Sequence, residues 1–207
     1  MAEDLPIYSD IPLRTGLQFA ELERLKGADL SDIWLRSDTA IASLEAALGV
    51  TAARESLGSG SKDSLLRMHG LLFPDRSGAG RLRETPLQPL YRGQDCAPPE
   101  FIEHSLDNFT VWLAAESFAQ IHPIEQCALS MTRIVDIWPF EFGNLTSAMV
   151  FANLPLKKAG LAPFSVALQH RMEFEKVIAQ AMTIDTQPLI NAIFRTVKKE
   201  MESIAKR

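Results

Sequence analysis

Residues 138–149 read Trp138-Pro139-Phe140-Glu141-Phe142-Gly143-Asn144-Leu145-Thr146-Ser147-Ala148-Met149. A Pro-Phe pair followed by Gly-Asn is what a loop feeding a helix N-terminus needs. Such an end turns free backbone N–H groups and the positive end of the helix dipole toward an anion, so the natural chemistry is phosphate binding. Phosphoryl chemistry there would also call for a base, an acid and cations. The chain instead offers Trp138, Phe142, Leu145, Thr146 and Met149. An indole N–H donates and has no basic lone pair, so Trp138 cannot act as a general base. The segment has the outline of a phosphate loop without its reactive side chains. On residue type alone, 137–140 is equally an aromatic helix–loop junction in a core. Asn144 is equally an ordinary N-cap, with Gly143 relaxing the turn before it.

The elements around this loop are mainly helical. Helical spacing of Ala, Leu and Ile marks 18–26 (closed by Gly27), 38–57 (interrupted at Gly49) and 63–73. After Pro99 the spacing predicts helices over 100–116, 123–137, 144–159, 165–183 and 186–205, with Pro188 in a first turn. Residues 1–16 read as an irregular lead-in, and 58–61 (Gly-Ser-Gly-Ser) as the best boundary. The expected division is an N-terminal helical extension over 1–57 and a second unit over 58–207. Residues 74–99 are dense in proline and glycine and keep no helical period. Within them Leu87–Tyr91 could pair as a short edge strand or hairpin, restricted by Pro86 and Pro89. A loop of this length inside a compact domain is usually functional or disordered.

Bulk properties narrow the function. With 46% hydrophobic and 23% charged residues the composition is that of a globular protein, and the net charge of −5 argues against nucleic acid as the main partner. Cys96 and Cys127 lack metal-ligand spacing and are expected to be reduced. The acidic start has no apolar stretch of signal-peptide type, and no run reaches membrane-spanning length, so a cytoplasmic location and no membrane association are expected.

The order of features resembles the Fic family (Fic/Doc fold) over roughly 63–195. Leu66-Arg67-Met68-His69-Gly70-Leu71-Leu72-Phe73 resembles the helix before the family's flap. Residues 77–83, with Pro89-Leu90-Tyr91-Arg92-Gly93 and Ala97-Pro98-Pro99, resemble the flap. Residues 121–128 resemble the helix leading into the motif, and Ala152-Asn153 with Ala159-Gly160-Leu161 match the end of the motif helix. The resemblance implies a Fic-type helical bundle with a small β-hairpin flap. Most members move AMP from ATP onto a protein hydroxyl, with a motif His-x-Phe-x-Asp/Glu-Gly-Asn-Gly-Arg-x-x-Arg. There the His is the base, the acid anchors a divalent metal, and the arginines bind phosphate.

Placed on that motif, Trp138 stands for the His, Phe142 for the acid, Leu145 for the second Gly, and Thr146 and Met149 for the arginines, while Phe140, Gly143 and Asn144 are kept. Losing a positioned base costs about two to four decades of rate, and each charged phosphate contact about 1.5–3 kcal/mol. Glu141 lies one residue from the acid position and should point elsewhere. His69 and His122 are conceivable replacement bases, His122 being better read as a local cap. The expectation is therefore a catalytically inactive Fic-fold binding or interaction protein. Trp138, Phe142 and Leu145 would fill the former nucleotide pocket, and Gly143 and Asn144 would be a residual anion or nucleotide site. No metal site and no cofactor are expected, ATP and magnesium entering only if activity persists. The alternative is a weak or altered nucleotidyl or phosphoryl transferase acting on a protein hydroxyl. A protein partner engaged through the flap (Leu87, Pro89, Leu90, Tyr91) is consistent with the resemblance, and a homo-oligomer stays open. Many family members carry an inhibitory helix whose Glu pairs with the second motif Arg. Glu45 lies on the corresponding helix, but its flanking pattern and its Arg partner are missing, so it is expected to be a solvated helix charge.

Overall fold

The computed structural model describes residues 19–58, 60–87, 96–183 and 185–206. Among these every regular element is a helix, with no strand. The elements are α1 (Phe19–Glu23), α2 (Ser31–Glu45), α3 (Val50–Glu55), α4 (Lys62–Leu72), α5 (Pro99–Leu113), α6 (Glu116–Ala119), α7 (Pro123–Ile137), α8 (Asn144–Ala152), α9 (Leu154–Lys158), a 3₁₀ turn (Leu168–His170), α10 (Arg171–Met182) and α11 (Gln187–Ala205).

The centre of the bundle is the α7–α8 hairpin. Helix α7 buries Ile124, Cys127, Ala128, Met131, Ile134, Val135 and Ile137, and every residue of α8 is buried. A helix that is enclosed all round must be surrounded by other elements. Accordingly α8 packs on α2, α3, α4 and α9 as well as α7, while α5, α10 and α11 flank α7. Helix α11 supplies a long apolar stripe of Leu189, Ile190, Ile193, Phe194, Val197 and Met201. Each such side chain contributes about 1.5–3 kcal/mol of transfer free energy on full burial.

The helical span expected over 38–57, interrupted at Gly49, is two helices separated there. Helix α2 starts seven residues earlier, where Asp29 accepts from the Ser31 N–H (2.9 Å) and hydroxyl (2.6 Å). It stops at Ala46, whose φ of 56° is left-handed. The chain then crosses the end of α4. Leu48 N–H bonds to Leu72 O (2.9 Å), and a Cβ on Gly49 would lie 2.4 Å from Leu71 O, so only glycine passes there. The α2–α3 corner is held from inside by Asp38, which pairs with Arg54 and accepts from Thr51 Oγ1 at 2.7 Å. The Arg54 guanidinium lies over Trp34, 4.8 Å from its centroid.

The helix expected over 100–116 ends at Leu113, and that over 144–159 is broken into α8 and α9. Asn153 sits at this break, its side chain bonding Met149 O (2.9 Å) and both the carbonyl (2.7 Å) and N–H (2.7 Å) of Phe164. The irregular lead-in of 1–16 lies outside the described residues. So do Pro89, Leu90 and Tyr91 of the expected hairpin, while Leu87 is irregular rather than extended in a ladder.

Candidate functional site

The candidate site is the turn between α7 and α8. Helix α7 ends at Trp138, which adopts φ 49°, ψ 62° and closes the helix through its N–H to Ile134 O. A left-handed residue other than glycine costs about 1–2 kcal/mol, so the turn must be held from outside. Arg83 does this. It is 2% exposed. Its Nε donates to Trp138 O at 2.8 Å and its backbone N–H to Pro139 O at 2.9 Å. A positive guanidinium also suits the negative end of α7. The Trp138 indole itself is 9% exposed and belongs to the core cluster.

The turn closes on itself through Asn144, whose side chain accepts from Phe140 N–H (2.9 Å) and donates to Phe140 O (2.7 Å). Gly143 has φ +67°, and a Cβ there would fall 2.1 Å from the Phe73 ring. Both residues expected to form an anion site therefore have structural duties. The Asn144 side chain is committed to its own loop, and Gly143 admits Phe73.

The remaining motif positions face inward. Leu145 is 1% exposed, and Thr146 and Met149 are fully buried. The hydroxyls of Thr146 and Ser147 are enclosed without a hydrogen-bond partner. Phe142 is half-buried, edge-on to Phe73 (5.4 Å between centroids), with the exposed Arg76 guanidinium 3.6 Å over its ring. Glu141 points outward and accepts from Thr85 Oγ1 at 2.7 Å. Its carboxylate does not replace the acid expected at 142.

Neither histidine stands free as a base. His69 stacks on Phe140 with centroids 3.8 Å apart. Its Nδ1 accepts from Gly80 N–H at 2.8 Å, which leaves Nε2–H to donate to Phe142 O at 3.0 Å. Burial lowers its pKa to about 4 against the opposing effect of that carbonyl, so the ring is neutral. His122 caps α7, with Nδ1 accepting from Ile124 N–H at 3.2 Å and the ring stacked on Phe19 at 3.8 Å. Burial lowers its pKa to about 4 as well. Cys127 is enclosed in α7, and burial pushes its thiol up, away from reactivity. Among the described residues no group of three or more His, Cys, Asp or Glu is gathered where a metal could bind.

Glu45 is not a solvated charge. Its Oε2 accepts from the Thr146 backbone N–H at 2.8 Å, across 101 residues of chain, placing a carboxylate on the first turn of α8. A negative group is favoured at that end of a helix. Sequence reasoning missed this contact because nothing local marks it. It also missed Arg83, since a lone arginine within a Pro/Gly-rich stretch carries no sign of burial.

Residues 60–156 match a family model described as the Fic/DOC family. The chain is 31% identical over 125 residues to a curated protein adenylyltransferase Fic of Nematostella vectensis, covering 60% of this chain and 29% of that protein. The chain thus spans under a third of the length of the curated relatives it matches. Among solved structures, Caenorhabditis elegans Fic-1 superposes with a TM-score of 0.60 at 26% identity, over 70% of this chain and 43% of that one. A Fic-domain protein of Bacteroides thetaiotaomicron superposes with a TM-score of 0.66 over 92% of this chain and 81% of that one, and at 16% identity that likeness is one of fold. The motif turn between α7 and α8 lies inside the matched segment, so over residues 60–156 this chain is similar to the Fic/DOC family.

Proposed function

We propose that this chain is a Fic-fold protein that has lost AMP transfer and acts by binding another protein. The observation that carries the reading is the condition of the motif positions. Trp138, Leu145, Thr146 and Met149 are packed into the core, and the Thr146 amide already holds the Glu45 carboxylate. The residues present do not suit a magnesium nucleotide. The Phe142 side chain offers no oxygen to a hard cation, which takes carboxylates, carbonyls and water, and the Phe142 carbonyl already accepts from His69. No positive side chain stands at 146 or 149 for phosphate. An incoming phosphate would also meet a carboxylate at the helix end where it should bind. Residues Gly143 and Asn144 serve the geometry of the turn, and any residual anion binding would have to displace Glu45.

The curated relatives are named as protein adenylyltransferases, and a protein remains the reading for the partner of this chain. The flap segment that begins at Leu87 is the proposed contact, by strand-like pairing with an extended segment. Incubation with labelled ATP, magnesium and candidate proteins is expected to transfer no label to target or self. Transfer that disappears on Trp138→Ala or Glu141→Gln would overturn the loss of activity and favour an altered transferase instead.

A further inference from the structure

Arg83 does more than terminate α7. Besides Trp138 O, its guanidinium donates through Nη1 to Thr85 O at 2.9 Å and through Nη2 to Ala97 O. All three of these acceptors are backbone carbonyls, and they come from three separate stretches of chain. A guanidinium presents its donors in a rigid planar fork, so the three carbonyls must keep fixed positions relative to one another while all are bonded. Two of them flank the segment between Thr85 and Ala97. The third belongs to the left-handed residue that ends α7.

We propose that Arg83 is a joint that makes the Trp138 turn and the chain at Thr85 and Ala97 one cooperative unit, so that none of the three rearranges alone. The inference is independent of whether AMP transfer is lost. If the joint opens, Trp138 loses the contact that holds its left-handed backbone, and the turn that carries Phe140 to Asn144 loses its support. A displacement at Ala97 would therefore be felt at Trp138, and the reverse.

Amide hydrogen exchange on the full chain tests this with Arg83→Gln and Arg83→Lys. Lysine keeps the positive charge but cannot reach three carbonyls. The expected result is a rise of tenfold or more in exchange at 83–87, 96–98 and 136–143 together in both variants, with α10 and α11 unchanged. Three results would overturn the proposal: a rise in one stretch alone, an even rise across all helices, or wild-type behaviour of Arg83→Lys. If the variants fail to fold, the unmodified protein decides. The Arg83 Nε–H should then exchange at least a hundredfold more slowly than in free arginine, and exchange at the free rate would rule the joint out.

Discussion

The two central helices start in different ways. Helix α7 is begun by its neighbours in sequence: Pro123 occupies the first turn, and His122 caps it with a neutral ring nitrogen on Ile124 N–H. Helix α8 is begun from a distance. Gly143 supplies the left-handed entry, and Glu45 on α2 supplies the anion on Thr146 N–H. The physical need is the same, since the first N–H groups of any helix lack partners within it. The local solution stabilises one helix. The remote one ties α2 to the motif turn and places a charge at the N-terminus of α8.

This contrast can be broken by mutation. Gly143→Ala should be the most damaging change, at about 3 kcal/mol or more, since it adds left-handed strain to a collision with Phe73. Urea unfolding would show it, and a near-neutral result would mean that Phe73 can withdraw. Glu45→Ala should cost about 1–2 kcal/mol for a lost charged cap, and His122→Ala about 1 kcal/mol. If His122→Ala proves the costlier of the pair, the remote cap is incidental and the contrast fails.

The His122 cap also carries a pH dependence. His69 and His122 have pKa values near 4, lowered first by burial, against about 6.5 in the unfolded chain. Between those values the unfolded chain binds more protons, so stability is full above pH 6.5 and declines as pH falls toward 4. His122→Ala should flatten the decline between pH 6.5 and 5 in urea midpoints, and an unchanged slope would mean that ring is solvated.

Much of the helical order was legible in the sequence because it is periodic. The span 123–137 matches α7 residue for residue, and its cap follows from His122-Pro123. The break of the expected 38–57 helix was signalled by Gly49, but not its cause, which is the approach of Leu71 O. The earlier start of α2 depends on Asp29 in a stretch of weaker helix formers. The motif positions were legible by alignment to a pattern. The groups that surround them were not. Glu45 reaches Thr146 across 101 residues and Arg83 reaches Trp138 across 55, and no local rule connects positions so far apart.

Gly143 has one more consequence, for how such chains drift. Phe73 lies where a side chain at 143 would go, and Asn144 closes the turn through Phe140, so substitution at either is penalised by folding alone. Positions such as 138, 142, 146 and 149 are free to change once no ligand is bound, provided the replacement packs. Under the proposed loss of AMP transfer, a motif of this kind changes unevenly, with its Gly-Asn pair held by the shape of the turn. In a survey of relatives, that pair would therefore count as evidence of shape, and the side chains flanking it as evidence of use.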